Sequence, residues 1–252
     1  MRTADPDRRA AAHQALLQPA HQDPTVAVDV WSRAALENGH KLLTLTAPTD
    51  PYARTGHGVL SPHQLHPSSA PARLVQAALA EGFTGLSVLI RADHVIAETS
   101  ADYHNAVEST LTALSAEHPV RVLCIYDRPG AGTEHLNLAV THHRSGLQEH
   151  LLTVRNAEDC TYLAGEVDMT NLDVFDAALR ACRTTTGDVV RLDLTETAFL
   201  SAGAVNILLR HTTTPRDGLA RIEPRNPPQH IRRVLSLTGQ AVHAEDPSQQ
   251  KQ

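Results

Sequence analysis

The sequence is poor in aromatic residues and in long apolar runs, and each shortage excludes a class of protein. Only 3% of the 252 residues are aromatic although 41% are hydrophobic, so a core must be built mainly from Leu, Val, Ile and Ala. No apolar run approaches the ~20 residues that a membrane-spanning helix needs. The net charge of −6 provides no basic face for nucleic acid. Because the charged first residues precede no apolar stretch, the sequence predicts a cytoplasmic protein without a signal peptide.

Cysteine and histidine give no recognisable metal or catalytic pattern. Cys124, Cys160 and Cys182 are too far apart for a CxxC pair, and free Cys in apolar segments is ordinarily a buried thiol. The 16 histidines are scattered without HExxH spacing, and the adjacent His142 and His143 would point in different directions on a helix. The sequence therefore predicts surface histidines, no metal, no cofactor and no catalytic residues.

Strand-like and helix-like apolar patterns alternate along the chain, which indicates an α/β fold with a mainly parallel sheet. In the first half, helices are predicted over 26–36, 72–81, 102–116 and 134–142, and strands over 41–47, 86–90 and 120–126. In the second half, strands are predicted over 151–154, 161–165, 189–194 and 220–223, and a helix over 204–211. Two further helices are expected to begin at the N-caps Thr170 and Asn226.

The pattern restarts near residue 150, which suggests two domains. We expect a disordered N-terminus over 1–12, a first domain over 13–150, a second over 151–242 and a disordered tail over 243–252.

Four motifs in the second half occur in a fixed order. They are Gly165-Glu-Val-Asp168, Asp193-Leu194, Phe199-Leu-Ser-Ala-Gly-Ala204 and Arg232-Arg-Val-Leu-Ser-Leu-Thr-Gly239. Together they resemble the STAS domain of anti-sigma-factor antagonists. The resemblance implies a sheet with helices packed on one side, and a loop that docks an anti-sigma factor or related switch-protein kinase. The implied partner-binding residues are Thr195, Thr197, Ser201, Ala202, Gly203 and Asn206.

In phosphorylated members of that family, a partner kinase phosphorylates a Ser in that loop. Two alignments of this chain with the family's loop are open. Without a gap, Ser201 falls on the family's Asp and Ala202 on the phosphorylated Ser, and Ala cannot accept phosphate. With a gap, Ser201 becomes the phosphoacceptor candidate. We favour the ungapped register, in which Ser201 is a helix N-cap and the loop is a docking surface without the standard switch.

The first half is similar to the MEDS sensory domain. The similar segments are His13-Gln-Ala-Leu-Leu17, Ala35-Leu-Glu-Asn-Gly-His-Lys-Leu-Leu43, Ala80-Glu-Gly-Phe-Thr-Gly-Leu86, and Leu123-Cys-Ile-Tyr-Asp127 with His142-His143 downstream. The resemblance implies a Rossmann-like three-layer sheet that senses a small organic molecule. The family's Gly-Glu-Met-Trp stretch is replaced here by Ile90-Arg-Ala-Asp-His94. The polar residues expected in a ligand pocket are His13, Asp93, His94 and Asp127.

Three functions remain open at this point. The first is a non-enzymatic cytoplasmic signalling regulator, with a sensory first half, a partner-binding second half and the option of a homodimer. The second is a Rossmann-like enzyme with chemistry around Asp93, His94, Asp127 and the 130–132 loop, although the chain has no nucleophile elbow, metal set or complete nucleotide motif. The third is a degenerate scaffold or dimerisation module that binds no ligand.

Overall fold

The computed structural model describes residues 12–18, 24–127, 133–143, 146–157, 160–183, 188–212 and 219–237. The chain divides into two compact units, Met1–His143 and Arg144–Gln252, a few residues before the boundary predicted near 150. The ends predicted to be disordered lie outside the described residues, except for Ala12, which is buried. Among the described helices, none combines the length and the apolar character that crossing a lipid bilayer requires.

The first unit is built on a parallel sheet whose strands lie in the order β1-β5-β4-β2-β3. The strands are β1 His13–Gln18, β2 His40–Leu45, β3 Gly58–Val59, β4 Gly85–Arg91 and β5 Val120–Asp127. The helices are α1 Thr25–Glu37, α2 Pro62–Leu65, α3 Ala72–Ala80, α4 Ala92–Glu98, α5 Ala101–Glu117 and α6 Thr133–His142. Short 3₁₀ helices span Pro51–Arg54 and Pro67–Ser69. The predicted α/β class with a largely parallel sheet is therefore confirmed.

Both faces of this sheet are covered. Six successive residues of β4, from Gly85 to Ile90, are buried, which is the pattern of a strand packed on both sides. On one face, Val28 and Trp31 of α1 pack with Leu89 and Ile125 in an apolar cluster. Residues that alternate with these along β5 face the other side, where α5 lies. The fold thus places polar residues of α5 directly against the sheet.

The second unit is a mixed sheet with its own helices. Its strands are β6 Leu147–Glu149, β7 Leu152–Ala157, β8 Cys160–Val167, β9 Val189–Asp193, β10 Thr197–Leu200 and β11 Arg221–Arg225. The order is β11-β9-β8-β7-β6, with β10 paired to β8, and only the β6–β7 and β7–β8 pairs described within this unit are antiparallel. The helices are α7 Leu172–Cys182, α8 Ala202–Thr212 and α9 Gln229–Leu237.

Burial alternates along the strands of the second unit, so one face of its sheet is covered. In β9, Val190 and Leu192 are buried whereas Val189 and Arg191 are exposed. The helices α7 and α8 lie against β8, β10 and β11. This is the period-two pattern expected of a half-covered sheet.

Two predicted helix caps are wrong. The helix after Thr170 begins one residue later than predicted, with Asn171 before its first residue, because the backbone N–H and the hydroxyl of Thr170 both bind Asp168 Oδ1. Asn226 adopts a left-handed φ of 48°, and its amide donates to Asp193 Oδ2 at 2.8 Å, so the last helix starts only at Gln229. A local polar pair therefore determines the first turn, and a polar pair between distant residues determines the second.

Candidate functional sites

Five titratable side chains of the first unit meet inside its core. They are His13, His104, Glu108, Cys124 and His143, and the exposed fraction of each residue is 4% or less. We refer to these five residues as the buried cluster. Charged and polar residues are almost never buried to this degree unless they are paired or bind a metal.

Two strands supply His13 and Cys124 to the same face of the sheet. In the parallel pair β1–β5, His13 lies beside Val122. Side chains alternate along a strand, so Cys124, two residues beyond Val122, projects from the same face. As a result, Cys124 Sγ lies 3.7 Å from His13 Nε2.

The helical residues come from α5 and from the end of α6. Along α5, His104, Glu108 and Thr112 follow one another at four-residue spacing, which places them on one face of the helix. His143 directly follows the last residue of α6. The cluster therefore joins β1, β5, α5 and the end of α6.

Hydrogen bonds fix the orientation of two histidine rings. His143 Nδ1 lies 2.7 Å from the carbonyl oxygen of Ala139, so this nitrogen must carry the proton. The Thr112 hydroxyl donates to the Glu108 carbonyl at 2.9 Å, so it accepts from His13 Nδ1 at 3.0 Å. In the neutral form, both rings therefore present an unprotonated Nε2.

Both Nε2 atoms lie close to the same carboxylate oxygen. Oε2 of Glu108 lies 2.9 Å from His13 Nε2 and 3.4 Å from His143 Nε2. Neither Oε2 nor His143 Nε2 has a hydrogen-bond partner of acceptable geometry among the described residues. Buried polar atoms without partners are rare, and each one needs a physical explanation.

The other oxygen of the same carboxylate is well held. Oε1 of Glu108 accepts from the Tyr126 hydroxyl at 3.1 Å and lies 3.1 Å from His104 Nε2. His104 Nε2 is also 2.9 Å from the Tyr126 hydroxyl oxygen. These contacts orient the carboxylate so that Oε2 faces His13 and His143.

Burial and charge shift the pKa values of Glu108, His143, Cys124 and Tyr126. Burial raises the pKa of a carboxyl, but the histidines, His143 first, outweigh it and hold the pKa of Glu108 well below its ordinary value. Burial lowers the pKa of His143 to about 3. Burial, with the Glu108 charge, raises the pKa of Cys124 and of Tyr126 well above the usual range. Burial thus favours the neutral form of His143, whereas the surrounding histidines favour the ionised form of Glu108.

Four atoms of the buried cluster converge closely enough to share one ligand. Single donor atoms of His13, Glu108, Cys124 and His143 all lie within 4.8 Å of one another. Imidazole nitrogen, thiolate and carboxylate are all ligands that transition metals accept. The prediction of no metal-ligating residues missed this convergence.

The four predicted pocket residues do not form one pocket. Asp93 and Asp127 lie together at the carboxyl ends of β4 and β5: Asp93 Oδ2 accepts the Asp127 backbone N–H at 2.6 Å, and Oδ1 lies 3.2 Å from His135 Nδ1. Arg91 donates to Asp127 Oδ2 at 2.6 Å. Burial raises the pKa of Asp127, although Arg91 opposes this effect.

The other two predicted pocket residues lie in different surroundings. His94 is partly exposed, and its Nε2 lies 3.5 Å from Glu98 Oε1 one helical turn away. His13 belongs to the buried cluster. The expectation that the histidines are surface residues is wrong for His13, His104, His143 and His211, which are buried.

The predicted docking loop of the second unit lies between β10 and α8, and we call residues 195–206 the corner. Thr195, Ala202 and Asn206 are exposed there. Thr197 is not available to a partner, because it is 1% exposed and its hydroxyl donates to the Leu163 carbonyl. The corner thus presents five of the six predicted residues at least partly to solvent.

Ser201 occupies the N-cap position of α8. Its Oγ accepts the backbone N–H of Ala204 at 3.2 Å, and its own N–H donates to the Val167 carbonyl. The structural role expected in the ungapped alignment is therefore present. Gly203 packs against α7, where a Cβ atom would meet Leu172 Cδ1 at 2.8 Å.

Two large apolar side chains, one within the corner and one outside it, are exposed. Phe199 in β10 is 46% exposed, and Met169, two residues beyond the Val167 carbonyl that binds Ser201, is 85% exposed. Large apolar side chains at a surface of this kind are typical of protein contact sites.

Comparison with known proteins adds no assignment. The chain matches no family model, and no curated protein matches it. The MEDS and STAS resemblances therefore stay predictions that rest on the motifs described above.

Proposed function

We propose that the protein is a cytoplasmic signalling regulator whose second unit binds a partner protein through the corner. The partner class is an anti-sigma factor or a related switch-protein kinase, as the STAS resemblance implies. The observation that carries the proposal is the exposure of Ala202 at the start of α8, together with the exposure of Phe199 and Met169. Such a surface can contact a protein. The Ser201 and Thr197 hydroxyls already form hydrogen bonds to the backbone.

The chemistry of the corner favours docking without a phosphate switch. Ala202 has no hydroxyl, and the Ser201 hydroxyl caps the helix. A helix N-terminus presents free N–H groups and a partial positive charge, which a partner's carboxylate or carbonyl can contact. Binding of the partner protein then does not depend on phosphorylation of this loop.

The first unit serves as the sensory half in this proposal. Its parallel sheet is covered on both faces, and Asp93 and Asp127 lie together at the carboxyl ends of β4 and β5. That edge is where open α/β sheets bind small ligands. A small organic molecule bound there is the signal that the MEDS resemblance implies.

A binding titration tests the docking proposal. The full chain is titrated calorimetrically against purified anti-sigma factors and switch-protein kinases from the same genome. We expect Ala202→Glu and Ala202→Arg each to weaken binding by about tenfold or more, because a long charged side chain then stands in the contact face. Ala116→Glu, an exposed alanine of α5, is the matched control and should bind like the wild type.

Either of two results overturns the proposal. One is that no member of the panel binds the wild-type chain. The other is that a partner binds and both Ala202 variants bind it as tightly as the wild type does.

A further inference from the structure

The buried cluster presents lone pairs that no group within the described part of the chain satisfies. Oε2 of Glu108 and Nε2 of His143 are both fully buried, lie 3.4 Å apart and have no hydrogen-bond partner among the described residues. Two acceptors at this distance repel unless something positive lies between them. The arrangement therefore needs a proton or a cation.

We propose that the buried cluster is a binding site for one divalent transition-metal cation of the Zn²⁺ class. The ligands are His13 Nε2, His143 Nε2, Glu108 Oε2 and Cys124 Sγ. All four protein ligands would come from the first unit, and the inference does not depend on partner docking by the second unit.

Three of the six distances between the donor atoms are close to those of a tetrahedral centre. Bonds of about 2.0–2.3 Å place the donor atoms of such a centre roughly 3.3–3.8 Å apart. Here His143 Nε2 lies 3.4 Å from Glu108 Oε2, and Cys124 Sγ lies 3.7 Å from His13 Nε2. His13 Nε2 and Glu108 Oε2, at 2.9 Å, need to separate only slightly.

Surrounding groups hold the ligands as they do in known metal sites. A metal-binding histidine usually donates its other ring N–H to a carbonyl, a carboxylate or a similar acceptor. His143 Nδ1 meets the Ala139 carbonyl, and His13 Nδ1 meets the Thr112 hydroxyl. Tyr126 and His104 orient the carboxylate through Oε1. Both Nε2 atoms and Oε2 are thereby held close together.

A proton accounts for only part of the geometry. If His13 were protonated, it could pair with Glu108 Oε2 at 2.9 Å. Neutral His143, with its one proton on Nδ1, would still bring an unprotonated Nε2 to 3.4 Å from the same oxygen. A cation satisfies both nitrogens at once. With one thiolate and one carboxylate, a divalent cation also gives a centre of zero net charge, which suits burial.

Four protein ligands with no exposed position are typical of structural rather than catalytic zinc. Since the ligands are 4% exposed or less, metal should enter during folding and stabilise the first unit. Exchange in the native state should be slow for the same reason.

The test uses the full chain, unfolded in guanidinium with a chelator and refolded with Zn²⁺, with Co²⁺ or without metal. We expect one bound Zn²⁺ per chain by elemental analysis. The unfolding temperature should be about 5 °C or more higher with Zn²⁺ than without it. The cobalt form should show intense visible bands of tetrahedral Co²⁺ and a thiolate-to-cobalt charge-transfer band.

Matched variants assign the ligands. Cys124→Ser should abolish the charge-transfer band, whereas Cys182→Ala, a buried thiol of the second unit, should leave it intact. His143→Gln should lower the metal content well below one per chain, whereas His211→Gln, a buried histidine of the second unit, should not.

X-ray absorption on the zinc-loaded wild type gives a measurement that does not depend on whether the variants fold. It should show three nitrogen or oxygen ligands and one sulfur ligand. The proposal is overturned if the refolded wild type binds no stoichiometric metal. It is equally overturned if absorption shows no sulfur ligand, or if folded Cys124→Ser and His143→Gln keep the wild-type metal content and spectrum.

Discussion

His143 and Glu108 face each other in the core of the first unit, with Nε2 and Oε2 3.4 Å apart and both side chains fully buried. His143 directly follows α6, and Glu108 lies in the middle of α5. An unsatisfied buried pair of this kind would cost several kcal/mol, roughly 1–3 for each polar group. A cation bound to both atoms would remove that cost and would connect α5 to the residue that follows α6.

Thr112 should act as a positioning residue for this site. Thr112→Val removes the acceptor for His13 Nδ1 and should weaken Zn²⁺ binding by about 10–100-fold in a competitive chelator titration. Thr110→Val is the control, because its hydroxyl also donates to the carbonyl four residues earlier but does not contact a histidine in any described interaction. Equal effects of the two substitutions would show that Thr112 has no role in binding metal.

Gly165 should be intolerant of a side chain. Its φ is 92°, and a Cβ atom there would overlap the carbonyl oxygen of Leu151, the residue just before the neighbouring strand β7. We expect Gly165→Ala to lower the free energy of unfolding by about 3 kcal/mol or more in urea titrations. Gly82→Ala, at φ 94° with open space around it, should cost only about 1 kcal/mol. A loss at Gly165 no larger than at Gly82 would contradict the close approach.

His211 should make the second unit less stable at mildly acidic pH. Its Nε2 lies 2.8 Å from Asp176 Oδ1, and Arg183 donates to its Nδ1, so the neutral ring already uses both nitrogens. Burial lowers the pKa of His211, although Asp176 opposes this.

The direction of the pH effect follows from that shift. The unfolded chain takes up a proton near pH 6.5, roughly the ordinary histidine value, whereas the folded chain takes it up only at lower pH. Stability is therefore fully present above that pH and is lost as pH falls below it. Urea unfolding between pH 8 and pH 5 should show a steeper loss for the wild type than for His211→Gln. Identical slopes would contradict a lowered pKa.

Ser201 should contribute to stability as a helix cap. Ser201→Ala removes the acceptor for the Ala204 N–H and should lower the free energy of unfolding by about 1 kcal/mol. Ser236→Ala in α9, whose hydroxyl donates to a carbonyl on the exposed surface, should change it by less than about 0.5 kcal/mol. A neutral Ser201→Ala would mean that the hydroxyl serves something other than the cap.

Much of the fold was predictable because the relevant signals are local. The apolar run 120–126 is long enough to indicate a strand buried on both faces, and β5 spans Val120–Asp127. The stripe on α7, which includes Phe175, Leu179 and Cys182, likewise predicted the buried face of that helix. The misplaced cap at Asn226 depends on Asp193, a distant residue that local sequence does not reveal.

The buried cluster could not be read from spacing. Its members come from β1, α5, β5 and the end of α6, and only His104 and Glu108, followed by the neighbouring Thr112, show a regular interval. A four-residue interval of polar residues is equally typical of an exposed helix face. The signal that could have raised suspicion is a Glu on the otherwise apolar face formed by Val107, Leu111 and Leu114.

Hydrogen exchange of the full chain, free and bound to an anti-sigma factor that it binds, tests the proposed function most directly. We expect slower amide exchange over residues 199–206 in the complex, because the partner covers the start of α8. Exchange over Ala101–Glu117 in α5 should stay unchanged. A bound partner that leaves 199–206 unprotected and instead protects another surface would contradict the account.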